Sequence, residues 1–197
     1  MEKDRFQSQL NFILEVDKLK TIERQTHITG FSRRENDAEH SFHMALMLYL
    51  LKEYANEEID LSKAMMMALI HDIVEIDAGD TYAYDETALK TQAERENKAK
   101  ERIFSLLPPD QKDELVALFD EFEKGETAEA RFVKAIDNFQ PLLLNDFNDG
   151  GDWKEHKTTK TKVLQRHNKS QLGSTFIGEY SKEMIMRNVE NGNIKDE

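Results

Sequence analysis

The chain has no cysteine, one tryptophan, three prolines and eight glycines in 197 residues. Without cysteine there is no disulfide framework, no thiolate nucleophile and no thiolate metal ligand. The scarcity of proline and glycine removes the punctuation of turn-rich β-folds, and no sustained apolar–polar alternation marks a half-buried strand. No run of about 18 or more apolar residues occurs, so no transmembrane helix is expected. Positive charge is also in short supply: 27 Lys and Arg stand against 39 Asp and Glu, for a formal net charge of −12. Broad nucleic-acid binding needs a basic footprint, and this balance argues against it. A small phosphorylated substrate stays open, because a cation with one or two arginines reverses the field inside a pocket. The start, Met1-Glu2-Lys3-Asp4-Arg5, is charged and leads into an amphipathic stretch, unlike a secretory signal. With the absence of cysteine, that points to a cytoplasmic protein.

What is present reads as helix. A composition of 39% hydrophobic and 34% charged residues suits a soluble globular chain, long enough to bury one core. Phe6, Leu10, Ile13, Leu14 and Leu19 mark a first amphipathic helix, and residues 20–36 a polar connection holding Gly30 and Arg33-Arg34. Asn36 caps the next helix, with Glu39 completing a capping box. That helix, over 37–55, places His40, Met44, Met47, Leu48 and Leu51 along one stripe. Asp60 or Ser62 caps an apolar helix running through Val74, and residues 76–86 form the loop after it. A charged helix over 86–106 ends at Leu107-Pro108-Pro109, its Glu94-Arg95-Glu96 run reading as a solvated face. Two more helices span 110–124 and 127–146, with Pro141 predicted to kink or break the second. Asn148-Asp149-Gly150-Gly151 is a loop, 158–188 a last helical region, and Asn191-Gly192-Asn193 a frayed tail. The expectation is an all-α fold over 1–197 in a single domain, its core at about 5–145.

The chemistry centres on His71-Asp72, near the end of the run from Ala64 to Val74. A helix apolar on nearly all sides belongs in an interior, where an unpaired carboxylate is very costly. Something must compensate Asp72, and a metal ion is the simplest candidate beside a histidine. His40 and Asp137 are likewise set among apolar neighbours on other predicted helices. Two imidazoles and two carboxylates suit one divalent ion (Co, Mn, Zn, Fe, Ni or Mg), with positions left for water or substrate. Glu75 follows His71 by four residues and Asp72 by three, so on a continuing helix it stands one turn along the same side. A carboxylate there can take a proton from a coordinated water, whose pKa a metal lowers from about 15.7 toward ~7.

His40, then His71-Asp72, then Asp137, in that order on helices, resembles the HD-domain superfamily of metal-dependent phosphohydrolases. The words Glu39-His40-Ser41, His71-Asp72-Ile73-Val74-Glu75 and Gly79-Asp80 are similar to its 5′-deoxynucleotidase branch. The resemblance implies that His40, His71, Asp72 and Asp137 are the metal ligands of an HD-type helical bundle. It implies that Glu75 and Asp80 stand around the water and leaving group, and that Arg24 lies near the phosphate or sugar. It implies a (deoxy)nucleoside 5′-monophosphate as substrate, with phosphate released by a metal-activated water, and is compatible with a homodimer. Residues 20–36 differ in length and wording from that branch. Two rivals stand beside it: another HD substrate (a cyclic nucleotide, a nucleoside triphosphate or an alarmone) and a non-catalytic metal-bound ligand sensor.

Each residue also has a plainer reading. His43 packs, lends a hydrogen bond to the ligand shell, or binds a second metal. Glu75 can be a helix-end carboxylate, Asp80 a turn former after Gly79 and Asp77 a loop residue. Arg33 and Arg34 either face an anionic substrate or are solvated loop charges. Met65-Met66-Met67 fills core, and Trp153 is a lid or a surface anchor.

Overall fold

The computed structural model describes residues 2–80 and 86–197, with side chains from residue 91 onward in the second stretch. Helix α1 (Glu2–Val16) buries only Phe12, leaving Phe6, Ile13 and Leu14 facing out. A 3₁₀ turn (Asp17–Thr21) leads into two antiparallel strands, β1 (Glu23–His27) and β2 (Arg34–Asn36). The polar connection expected over 20–36 is therefore a hairpin. Strands of five and three residues are too short to display period-two alternation, and β1 carries its one buried side chain, Arg24, as a charge.

Helix α2 (Asp37–Leu51) opens on the expected capping box, with Glu39 N donating to Asn36 Oδ1 and Asn36 N donating to Glu39 Oε2. It stops short of residue 55, passing into a 3₁₀ turn (Lys52–Tyr54). Asp60, not Ser62, caps α3 (Leu61–Ile70), accepting from Lys63 N at 3.1 Å. The apolar helix does not run through Val74. Residues 71–74 tighten into a turn with three-residue hydrogen bonds, Ile73 N to Ile70 O at 3.2 Å and Glu75 N to Asp72 O at 2.9 Å. The short α4 (Glu75–Ala78) follows and ends at Gly79, whose φ of +73° suits glycine. The loop expected over 76–86 thus begins as helix, and its residues 81–85 lie outside the described residues.

Next come α5 (Glu86–Phe104) and α6 (Pro109–Lys124), the latter ended by Gly125 in the left-handed region. Helix α7 (Ala128–Phe147), capped by Thr127, continues through Pro141 instead of breaking there. The proline has no N–H to offer the Asp137 carbonyl four residues back. The single helical region expected over 158–188 is three pieces after the short α8 (Gly151–Glu155): α9 (Lys160–His167), a 3₁₀ turn (Asn168–Leu172) and α10 (Thr175–Glu190). At the join, a Cβ on Gly173 would lie 2.1 Å from the Arg131 carbonyl oxygen, so only glycine lets this turn approach α7. The tail is pinned, not frayed. Asn193 N and Ile194 N both donate to Asn188 O, Lys195 N donates to Thr158 O, and Ile194 is buried.

The fold is all-α apart from the hairpin, and no helix among the described residues is long and apolar enough to cross a membrane. One apolar cluster gathers Met44, Leu48, Met67, Phe132, Ile136 and Ile185, with Trp153 inside it rather than acting as a lid or surface anchor. A second gathers Phe12, Ile70, Ile73, Ile103, Phe104 and Phe119. Burial of each such side chain contributes roughly 1.5–3 kcal/mol. Helix α3 gives Met67 to the first cluster and Ile70 to the second, which wedges His71 and Asp72 between them, against α2 and α7.

Candidate metal centre and cleft

The structure brings together the four residues singled out as ligands. His40 comes from α2, His71 and Asp72 from the turn after α3, and Asp137 from α7. His40 Nε2 lies 3.2 Å from Asp137 Oδ1 and 4.0 Å from Asp72 Oδ2, and His71 Nε2 lies 3.0 Å from Asp72 Oδ1 and 3.8 Å from Asp137 Oδ1. One ligand atom each from His40, His71 and Asp72 falls within 4.8 Å of the others.

The outer nitrogens decide what the inner ones present. His71 Nδ1 donates to the Ala68 carbonyl at 2.9 Å, so in the neutral ring Nε2 carries a lone pair. That Nε2 is buried and has no hydrogen-bond partner, although a carboxylate oxygen stands 3.0 Å away. His40 is tied in the same sense. Gln140 Nε2 donates to Glu35 Oε1 at 2.7 Å and lies 3.1 Å from His43 Nδ1, which turns Gln140 Oε1 toward His40 Nδ1 at 3.0 Å. Lone pairs and carboxylates therefore converge on one point, an arrangement that needs a cation or protons at its centre. With the protein's own groups alone, protons meet this need. Burial and Arg24 push His40 down, but Asp137, Glu35 and Asp72 outweigh them and raise it to about 9. His71 is likewise raised, burial notwithstanding, by Asp72 and Asp137. Asp72 and Asp137 are held low against burial, Asp72 chiefly by His71 and Arg24, Asp137 by its His40 hydrogen bond and His71. A divalent ion would displace those protons, and two imidazoles with two carboxylates fit one.

Arg24 lies buried on β1, its Nη1 donating to Asp72 Oδ2 at 2.6 Å and Asp37 Oδ1 at 3.1 Å. Burial and the charge of Asp72 drive Asp37 up to about 7, with Arg24 pulling the other way. Glu75 is raised well above its ordinary range by burial and by Asp72 and Asp37, and its Oε2 is buried without a partner. Asp80 is also raised, by burial more than by Asp72, against Arg24. These groups open onto a cleft of 620 Å³ whose floor includes His71, Asp72 and Asp137 and whose walls include Glu75, Asp80 and Arg24.

Arg33 and Arg34 are not brought to the cleft. Arg33 forms a two-bond pair with Glu39, and Arg34 bonds Gln25 and Glu155. Asp77 pairs with Arg102, outside the ligand set. His43 reaches the cluster only through Gln140. Four participants escaped the sequence reading: Gln140 and Glu35 behind His40, and Arg166 and Lys169 on the far wall. Gln140 sits three residues after Asp137 on the buried face of α7, a polar exception of the same kind as the four clustered residues.

A family model described as an HD domain matches residues 16–175, which takes in all four of these residues. The chain belongs to the HD-domain family. Among curated HD relatives, the 5′-deoxynucleotidase of Homo sapiens is 31% identical over 137 residues, covering 69% of this chain and 66% of that protein. The 5′-deoxynucleotidase of Bos taurus is 30% identical, covering 68% and 64%. The matched stretch is thus just under two thirds of the length of each. A solved structure described as a predicted metal-dependent phosphohydrolase from Magnetospirillum magnetotacticum is 48% identical with a TM-score of 0.94, covering 98% of this chain and 97% of that one. An HD-domain phosphohydrolase from Listeria innocua, 17% identical with a TM-score of 0.64, shares the fold.

Proposed function

We propose that this HD protein is a metal-dependent phosphomonoesterase of the cytoplasm, releasing inorganic phosphate from (deoxy)nucleoside 5′-monophosphates. One observation carries the reading: His71 Nε2, a buried nitrogen with no hydrogen-bond partner, faces two carboxylates on the floor of a cleft large enough for a nucleotide. The HD relatives called 5′-deoxynucleotidases support the substrate class.

His40, His71, Asp72 and Asp137 would hold the ion, with Co, Mn, Zn, Fe, Ni or Mg as candidates. When bound, such an ion supplies Lewis acidity and a water acidic enough to ionise near neutral pH. Arg24 holds Asp72 in place through its 2.6 Å bond and keeps the carboxylate charged. Gln140 and Ala68 fix the ring orientations of His40 and His71, so that each Nε2 faces inward. Glu75, three residues after Asp72 and with its buried Oε2 lacking a hydrogen-bond partner, would take a proton from the attacking water and return it to the leaving 5′-oxygen. In that exchange a water oxygen bonds phosphorus, the bond from phosphorus to the 5′-oxygen breaks, and the proton ends on the nucleoside. Asp80 lines the cleft just after Gly79 and would meet the leaving group.

A homodimer belongs to the same proposal. Phe42, Leu46, Tyr49 and Leu50 on α2, with Met66 and Leu69 on the adjacent α3, leave large apolar side chains exposed, as an interface would require.

The test is phosphate release from a panel of ribo- and deoxynucleoside monophosphates, cyclic nucleotides and triphosphates by protein reloaded with each metal in turn. Monophosphate-selective release is the expected result. Preference for another nucleotide reassigns the substrate, and silence across the panel with metal bound removes the enzymatic reading.

A further inference from the structure

Acids and bases both line the cleft. Asp72, Glu75 and Asp80 come from the turn after α3 and from α4, α7 brings Asp137 together with the bases Arg131 and Lys134, and α9 and the 3₁₀ turn that follows bring Arg166 and Lys169. Two of these bases are engaged already. Arg131 pairs with Glu57, and Lys134 lies 3.9 Å from Glu123 with its ammonium 4.3 Å from the Phe122 ring centroid. Arg166 and Lys169 have neither a hydrogen bond nor an ion pair among the described residues.

Their placement follows from how α9 is seated. Val163, His167 and Ser170 are buried, and together they hold α9 and the next turn against the core. Arg166 and Lys169 each precede one of those anchors by a single residue, which sets them side by side along the margin of the buried face. Both therefore reach the cleft from a fixed base.

Arg24, across the cleft, spends Nη1 on Asp72 and Asp37. A phosphate dianion lying over an acidic floor still needs donors for the oxygens that face away from it. Guanidinium groups match that need, giving two parallel charge-assisted bonds. We propose that Arg166, assisted by Lys169, is the anion-binding wall of this cleft and holds the phosphate group of the substrate from the side opposite His71 and Asp72. The assignment rests on the phosphohydrolase reading for what enters the cleft.

Its test uses inorganic phosphate as the probe, so that it does not depend on turnover. Phosphate binding to the full-length, metal-loaded protein is measured by calorimetry for wild type, Arg166→Gln, Arg166→Lys and Lys162→Gln. Lys162 is an exposed cation on the same helix that does not line the cleft. Arg166→Gln should weaken phosphate by about 10- to 100-fold, the range for a hydrogen bond to a charged group. Metal content should stay unchanged, Arg166→Lys should recover part of the loss, and Lys162→Gln should bind as wild type does. Nucleosides, lacking the phosphate, should bind wild type and Arg166→Gln alike. Phosphate affinity within twofold of wild type in Arg166→Gln would overturn the assignment, as would an equal loss in Lys162→Gln or no phosphate binding to wild type. If phosphate binding depends on Arg166 but no nucleotide is hydrolysed, the wall stands and the nucleotidase reading falls.

Discussion

Gln140 offers a direct perturbation of the centre without touching a ligand. Its side chain has no solvent exposure and joins three groups: His40 at 3.0 Å, Glu35 at 2.7 Å and His43 at 3.1 Å. Gln140→Leu is close to isosteric, so the damage is polar rather than steric. His40 Nδ1–H loses its 3.0 Å acceptor and keeps only Glu35 Oε2 at 3.6 Å, while Glu35 loses its hydrogen-bond donor from Gln140. Each buried group left unsatisfied costs roughly 1–3 kcal/mol, more for a charge, so a combined loss of about 3–5 kcal/mol is expected. The His40 ring is then free to turn, and removal of such an orienting partner lowers metal affinity by about 10- to 100-fold. Urea unfolding at fixed metal loading reads the first quantity, and competition against a chromophoric chelator reads the second. A midpoint equal to wild type, together with metal affinity within twofold, would refute the idea that Gln140 fixes His40.

Three other outcomes are expected. Glu75→Gln should keep its full metal complement while kcat falls by about 10²- to 10⁴-fold; full turnover would remove Glu75 from the proton path, and lost metal would make it a ligand. His167 is buried and held down to about 3 by burial and by Arg166, below its ordinary value of 6.5. The unfolded chain therefore binds the proton first, and stability present above pH 6.5 is lost as pH falls toward 3. At up to ~1.4 kcal/mol per pH unit, wild type should lose about 2 kcal/mol more than His167→Gln between pH 6.5 and 5, and parallel pH profiles for the two would contradict this. Leu46→Glu, placing a charge in the exposed apolar face of α2, should convert a dimer to monomer in light scattering without loss of metal; a wild-type monomer would end the dimer proposal.

The clustered residues were legible because ionisable residues on apolar faces announce themselves: His40 among Met44 and Leu48, Asp137 one turn after Val133. Arg24 differs from Arg33 and Arg34 only in tertiary surroundings, since three arginines in a polar stretch look alike until the hairpin buries one and leaves the others to Glu39 and Glu155. The same hairpin hides Glu35, which reads as a surface residue yet lies buried against Gln140. Arg166 and Lys169 fall on an amphipathic segment whose cations pass for a solvated face, and only the packing of α9 and the turn after it sets them at the cleft margin. The helix end before His71 left no mark because the residues beyond it keep helical dihedrals, with His71 at φ −62° and ψ −36°. The pinned tail depends on one apolar residue, Ile194, whose burial is set by contacts distant in sequence.

The central claim is that the cluster of His40, His71, Asp72 and Asp137 is a divalent-metal centre that drives phosphate release. The most direct measurement adds metal stepwise to chelator-stripped protein and follows bound metal and phosphate release from a deoxynucleoside monophosphate in the same sample, with Asp72→Ala in parallel. The account predicts that activity rises in step with occupancy and levels at one ion per chain, while Asp72→Ala takes up no ion and stays inactive. Activity in the stripped protein, or metal bound equally well by Asp72→Ala, would contradict it.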